Sequence, residues 1–105
     1  MTKYQVIATP EAQSNIREAF DYIRDRSPLN AARWLRGLHE RIESLELFPR
    51  RCGTAREQPY FEEELRQLVY KSHRLVFTID EEEKTVHVVF VRHAARRPKG
   101  EPDED

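Results

Sequence analysis

The chain has 105 residues, of which 38% are hydrophobic and 35% are charged, and its formal net charge at pH 7 is −1. This length supports one hydrophobic core, so we expect one domain over residues 1–98 and a flexible acidic tail over residues 99–105. No apolar run approaches the roughly 20 residues that span a bilayer, and no signal-peptide core follows the start, so we expect a soluble, cytoplasmic protein without membrane contact. The near-zero net charge restricts any nucleic-acid binding to a local basic patch.

Metal and cofactor chemistry have little support in the sequence. Cys52 is the single cysteine, which excludes an internal disulfide and fits a reducing compartment, and a lone thiol in a loop is more often incidental than catalytic. The four histidines do not show the paired spacing of metal ligands, and no glycine-rich phosphate-binding motif occurs. We therefore expect neither a metal nor a cofactor.

The first elements are a strand and a helix. Residues 3–8, KYQVIA, alternate in a way that predicts a short strand with at least one buried face. Thr9 and Pro10 then form a helix start, with a hydroxyl at the N-cap and proline at the first helical position. Apolar residues at i, i+4 and i+7 spacing predict one buried stripe on a helix over residues 10–26.

A second helix follows at once. Ser27 and Pro28 repeat the start signal, and apolar residues spaced by four and three predict a helix over residues 28–48. Two helices joined so tightly form an αα-hairpin. Trp34 lies off the main stripe, which leaves two interpretations: packing on the sheet or hairpin edge, or a contact with a partner.

The second half of the chain predicts a loop and an antiparallel meander. Residues 50–64 have the composition of a loop, and strands are predicted over residues 65–70, 74–80 and 84–91. The last strand is apolar on both faces, so we place it centrally with the first strand of the chain beside it. Simple alternation puts one set of its residues on a single face: Val86, Val88 and Phe90. The predicted fold is α+β, with the helices packed on one face of the sheet.

Basic residues give the only candidate site. Arg66 and Arg74 lie in neighbouring predicted strands, and VRHAARRP at residues 91–98 adds further arginines at the exit of the last strand. Guanidinium groups bind phosphate or carboxylate, and a histidine among them could move a proton in metal-free RNA cleavage. The alternative is that the strand arginines pair with the acidic residues 62–64 or 81–83 and keep the sheet edges soluble.

The order of elements and several motifs resemble the RelE/ParE superfamily of bacterial toxins. The resemblance covers about residues 3–98. The matching positions are Tyr4, Ile7, Thr9, Pro10, Ala12, Ile23, Ala32, the run from Leu38 to Pro49, Arg66-Gln67-Leu68, residues 73–80 and residues 91–96. The final His-x-x-Arg, His93 to Arg96, is the most specific of them.

This resemblance implies one of two activities. The RelE-like branch comprises ribosome-dependent mRNA endonucleases, and the ParE-like branch inhibits DNA gyrase without a nuclease site. A pI of 6.4, long predicted helices, Glu62-Glu63-Glu64 in place of a lysine-rich segment, and the absence of an aromatic residue after His93 favour the ParE-like branch. A degenerate or purely antitoxin-binding relative is the remaining alternative.

The resemblance also implies partners and site residues. The expected partners are a cognate antitoxin, which wraps the domain and covers the basic patch as in plasmid-stabilisation modules, and DNA gyrase. The candidate binding residues are Arg66, Arg74, Arg92, Arg96, Arg97 and Trp34, with no catalytic residue. On the RelE-like alternative the partners are the ribosome and mRNA, and the catalytic residues are Arg66, Arg74, His93 and Arg96.

Overall fold

The computed structural model of the chain describes residues 3–102, which form two helices and a four-stranded sheet. The elements in chain order are β1 (Gln5–Ala8), α1 (Pro10–Arg24), α2 (Pro28–Glu43), β2 (Arg66–Tyr70), β3 (His73–Asp80) and β4 (Thr85–His93). Single 3₁₀ turns lie at Ser44–Glu46, Pro49–Arg51 and Gln58–Tyr60. Within residues 3–102 none of the helices is long and apolar enough to cross a membrane.

Both helices begin where the cap signals predict. The Thr9 hydroxyl accepts a hydrogen bond from the Ala12 N–H at 3.2 Å, and the Ser27 hydroxyl accepts one from the Asn30 N–H at 3.2 Å. Each cap satisfies one of the N–H groups that the first helical turn leaves unpaired. The cap predictions are confirmed.

The helix ends were predicted too late. α1 ends at Arg24 and α2 at Glu43. After α2 the chain tightens into a 3₁₀ turn and then takes a left-handed backbone at Phe48, with φ of 49°, which no α-helix accommodates. The Arg51 guanidinium stabilises this exit by donating to the carbonyls of Leu47 and Phe48.

The sheet confirms the α+β prediction. Its order is β1-β4-β3-β2, with β1 parallel to β4 and the other two pairs antiparallel. The last strand is therefore central and has the first strand beside it, as its two apolar faces predicted. The helices cover one face, here called the helix face.

A β-bulge in β4 overturns part of the predicted alternation. Val76 pairs with Phe90 and Phe77 pairs with Val88, which leaves Val89 as an extra residue. An extra residue in one strand shifts the following side chains to the opposite face. Phe90 therefore packs away from the helices, and its predicted position on the same face as Val88 was wrong.

Both faces of the sheet are covered. On the helix face a cluster of buried side chains joins the sheet to the helices: Ala12, Trp34, Leu38, Leu45, Cys52, Tyr70, Leu75, Phe77, Val86, Val88 and Val91. On the opposite face, here called the loop face, residues from the segment between α2 and β2 pack on the sheet: Ala55, Phe61 and Leu65 against Val76 and Phe90.

The chain after β4 also contacts the loop face. The Lys99 N–H donates to the Glu57 carboxylate at 3.1 Å, and the Lys99 ammonium contacts Glu11. Gly100 has φ of 90°, and a Cβ there would lie 2.8 Å from Tyr60. Lys99 and Gly100, expected in a flexible tail, thus lie against the domain, whereas residues 103–105 of that tail lie outside the described residues.

Candidate partner-binding site

Arg66 stands at the start of β2 and holds the preceding segment in place. Its guanidinium donates to the carbonyl of Cys52 at 2.5 Å and to that of Arg50 at 3.2 Å, and it forms an ion pair with Glu64 at 2.9 Å. The Glu64 pair matches the interpretation in which strand arginines are neutralised by residues 62–64. Arg66 is therefore largely engaged within the chain.

Arg74 is an interior residue. It is 2% exposed, and its guanidinium donates to both carboxylate oxygens of Glu57, each at 2.7 Å, and to the Gln67 side-chain oxygen at 3.0 Å. Burial alone would raise the pKa of Glu57, but the hydrogen bonds from Arg74 and Lys99 outweigh it and lower that pKa. The expectation that Arg74 is a surface contact is therefore corrected, because its guanidinium is enclosed and paired with Glu57.

Glu57 was missed by the sequence reasoning. It is fully buried in a segment whose charged composition predicted a solvent-exposed loop. The acidic residues at 62–64 gave the same local signal and are exposed, so nothing in the local pattern singles out Glu57. Its burial depends on long-range partners, the Arg74 guanidinium 17 positions later and the Lys99 N–H.

Three of the candidate binding arginines lie at the exit of β4. Arg92 is half-buried and donates to the Arg97 carbonyl at 2.7 Å, and burial together with nearby Arg96 lowers its pKa. Arg96 is exposed, and Arg97 is exposed with its guanidinium 3.4 Å from the Pro102 carbonyl. We call Arg92, Arg96 and Arg97 the exit patch.

Trp34 confirms the packing interpretation. It is 5% exposed, its carbonyl accepts a hydrogen bond from the Tyr70 hydroxyl at 3.0 Å, and its ring lies 6.3 Å from that of Tyr70. Trp34 is therefore a core residue with only a small edge left for a partner, and its binding role stays a prediction.

Two histidines meet at the ends of β3 and β4. The rings of His73 and His93 are 5.1 Å apart in an edge-on arrangement. Burial and the neighbouring His93 lower the pKa of His73, whose buried Nδ1 has no hydrogen-bond partner in the part of the chain that the structure describes. His93 is exposed, and its Nδ1 accepts from the Ala95 N–H at 3.0 Å.

The structure does not bring the four candidate nuclease residues together. His73 is paired with both Tyr70 and His93, whereas Arg66 lies at the far end of β2, four residues from Tyr70. At about 3.3 Å per residue that separation is roughly 13 Å along the strand. Arg74 is enclosed with Glu57, so only His93 and Arg96 remain exposed near each other.

A large groove lies on the β1 side of the hairpin. It has a volume of about 610 Å³ and runs between α1, α2 and β1. Its apolar lining is Val6, Ala8, Ile16, Phe20, Leu35 and Ile42, with Arg17, Asp21, Arg24 and His39 among the remaining residues. We call it the β1 groove. An edge strand beside an apolar groove can pair with an added strand or hold an amphipathic helix.

Neither a metal-ligand cluster nor a reactive thiol is found among residues 3–102. Among residues 3–102 no cluster of three His, Cys, Asp or Glu side chains is placed to hold a metal ion. Cys52 is 7% exposed, and burial raises the pKa of its thiol, which disfavours the reactive thiolate.

Comparison with known proteins identifies the family. The family model described as the ParE toxin of type II toxin–antitoxin system, parDE, matches residues 6–98. The chain belongs to this family. No curated protein sequence gives a significant match.

Solved structures share the fold at low sequence identity. The chromosomal ParDE toxin–antitoxin system from P. aeruginosa contains a chain that superposes with a TM-score of 0.70 at 16% identity, covering 87% of this chain and 96% of that one. The RelBE2 toxin–antitoxin complex from Mycobacterium tuberculosis contains another, with a TM-score of 0.59, 22% identity and coverages of 91% and 97%. This chain thus shares its fold with one chain from each of these two systems.

Proposed function

We propose that this chain is the toxin of a type II toxin–antitoxin pair, that it inhibits DNA gyrase, and that a cognate antitoxin neutralises it. The family match over residues 6–98 supports the toxin role. The choice of gyrase over RNA rests on one observation, the dispersal of the candidate nuclease residues.

RNA cleavage by a neighbouring 2′-hydroxyl requires a proton-transfer group and phosphate-binding cations within hydrogen-bond reach of one phosphate. Arg74 is enclosed with Glu57, and Arg66 lies roughly 13 Å from the histidines along its strand. A phosphate bound beside His93 would therefore contact neither Arg66 nor Arg74. This arrangement favours a binding role for the remaining exposed arginines.

The exit patch is the surface we assign to the target. Its arginines extend from the end of the central strand, and Arg96 is exposed. Arginines are enriched among the residues that dominate protein–protein affinity. A contact of this kind requires shape and a few charges, and does not require the broad positive field that ribosome docking needs.

The antitoxin is assigned to the β1 groove. An amphipathic helix could bury its apolar face against Ile16, Phe20 and Leu35, while Arg17 and Arg24 meet acidic side chains on its border. A further segment that covers the exit patch would block the target directly, which accounts for neutralisation.

The decisive experiment measures two activities of the purified toxin: inhibition of gyrase supercoiling and cleavage of ribosome-bound mRNA. We expect inhibited supercoiling and intact mRNA. Arg96→Ala should weaken inhibition about tenfold, as for a contact residue worth more than 1 kcal/mol, whereas Arg33→Ala, at an exposed position of α2, should not.

The RelE-like alternative gives the opposite result. It requires mRNA cleavage that disappears in His93→Ala, with supercoiling unaffected by the wild-type toxin. Antitoxin binding is checked separately by co-purification with the product of the adjacent gene. Well-tolerated expression of the folded toxin without any partner would contradict the toxin role itself.

A further inference from the structure

A second cavity lies on the opposite side of α1 from the β1 groove. It has a volume of about 420 Å³, within the range of binding pockets. Its lining is Ala19, Tyr22, Ile23, Trp34, Lys71, Ser72, His73 and His93. We call it the Trp34 cleft. Ile16 and Phe20 of α1 line the groove, whereas Ala19 and Ile23 line the cleft, so one helix separates the two.

The wall of the Trp34 cleft is fixed by aromatic contacts. The centroids of the Trp34 and His73 rings are 5.3 Å apart in an edge-on arrangement, and the Tyr70 hydroxyl donates a hydrogen bond to the Trp34 carbonyl. Gly37 makes this possible, because a Cβ at that position would overlap the Tyr70 hydroxyl. A cavity with such a wall is preformed, which reduces the ordering cost of binding.

The cleft has one enclosed polar group, on His73, and one exposed charged residue, Lys71. His73 Nδ1 is buried and has no hydrogen-bond partner among residues 3–102, although buried polar groups normally have one. Lys71 stands in the turn between β2 and β3 with φ of 51°, a left-handed backbone that is unfavourable for a residue with a side chain. This strained turn places an exposed ammonium group beside the apolar floor.

A smaller cavity of about 190 Å³ continues the cleft toward the exit patch. It shares Ala19, His73 and His93 with the cleft and adds Arg96 and Glu18. The combined surface therefore has an apolar centre with Lys71 near one end and Arg96 near the other. One carboxylate and two cations favour an acidic protein segment over a polyphosphate chain.

We propose that the Trp34 cleft is a second antitoxin pocket, which takes one apolar side chain of an acidic segment whose carboxylates pair with Lys71 and Arg96. The inference rests on the proposed neutralisation by an antitoxin. We choose the antitoxin as the partner because the cleft is close to the β1 groove, which is already assigned to it. A helix is about 10 Å across, so three or four extended residues can pass over α1 from one site to the other. An antitoxin segment that pairs with Arg96 would also cover the exit patch.

The test fills the cleft and measures antitoxin affinity by calorimetry, with the product of the adjacent gene as the ligand. Ala19→Phe should weaken binding about 10- to 100-fold, as for loss of a central anchor. The matched control is Gly53→Phe, at a position where an added Cβ would have no atom within 4 Å, and its affinity should be unchanged. Thermal unfolding of both variants verifies that the fold is retained.

A charge variant keeps the test valid if Ala19→Phe does not fold. Lys71→Glu should weaken antitoxin binding about tenfold, whereas Arg33→Glu on the exposed surface of α2 should not. Wild-type affinity in a folded Ala19→Phe or Lys71→Glu variant overturns the proposal, and so does a wild-type toxin that does not bind this antitoxin.

Gyrase inhibition separates this proposal from the proposed function. Both cleft variants should still inhibit supercoiling, since the cleft is assigned to the antitoxin. Lost inhibition with retained antitoxin affinity would assign the cleft to the target and overturn the proposal. Weakened antitoxin binding in a toxin that never inhibits gyrase would support the cleft assignment and refute the gyrase assignment.

Discussion

The helix face of the sheet is closed by apolar side chains from two helices, whereas the loop face is closed by a small apolar cluster beside a buried ion pair. Apolar contacts are not directional, and their cost on truncation scales with the volume lost. The Arg74–Glu57 pair is directional, and removal of either partner leaves a buried charge without compensation. The two faces should therefore respond to mutation in different ways.

The largest effect is expected on the helix face. Phe77 is fully buried between the sheet and the helices, so Phe77→Ala should lower the free energy of unfolding by about 4 kcal/mol in urea denaturation. Val69 lies on β2 but is 51% exposed, and Val69→Ala should change stability by less than about 0.5 kcal/mol. Equal effects would contradict the location of the core.

The buried Arg74–Glu57 ion pair should respond differently from the apolar core, because loss of one partner can be offset by replacement of the other. Glu57→Leu should cost about 3 kcal/mol because Arg74 stays buried without a counterion. The double variant Glu57→Leu/Arg74→Met should recover most of this loss, to within about 1 kcal/mol of the wild type. Additive losses in the double variant, measured by the same denaturation, would show that the pair itself stabilises the loop face.

The segment after β4 should contribute a smaller amount. A chain that ends at Pro98 lacks the Lys99 N–H bond to Glu57, and we expect a loss of about 1.5 kcal/mol, the lower end of the range for hydrogen bonds to charged groups. A chain that ends at Pro102 keeps this bond and serves as the control. Identical melting temperatures for the two truncations would show that residues 99–102 do not stabilise the loop face.

The smallest effect concerns pH. Because the pKa of His73 is lowered in the folded state from 6.5, the unfolded chain binds the additional proton between the two values. Stability should therefore rise with pH through the window just below 6.5 and level off above it. His73→Gln should remove this slope, which denaturation at a series of pH values measures. An unchanged slope would assign it to another group.

The parts of the fold that follow from local chemistry could be predicted. Thr9 and Ser27 identify the helix starts because an N-cap needs only the next three residues. The apolar character of β4 on both faces predicted its central place. The bulge at Val89 could not be predicted, since it is visible only in the pairing of β4 with β3.

The site was harder to predict than the fold. Arg66 and Arg74 have the same strand context in sequence, yet one anchors a surface segment and the other is enclosed. The difference depends on Glu57 and on which residues cover the loop face, and both are long-range features. Lys71 and His73 likewise become candidate site residues only when the structure places their turn beside Trp34.

The parallel pairing of β1 with β4 has a consequence for synthesis of the protein. Gln5 is paired with Thr85, 80 positions later, and the N-cap Thr9 also donates its hydroxyl hydrogen to the Val89 carbonyl. Ribosomes add roughly 5–20 residues per second, so β1 waits about 4–16 s for its neighbour. During that interval the helical hairpin has no complete sheet to pack on. The domain thus reaches its native form only when nearly the whole chain has been translated.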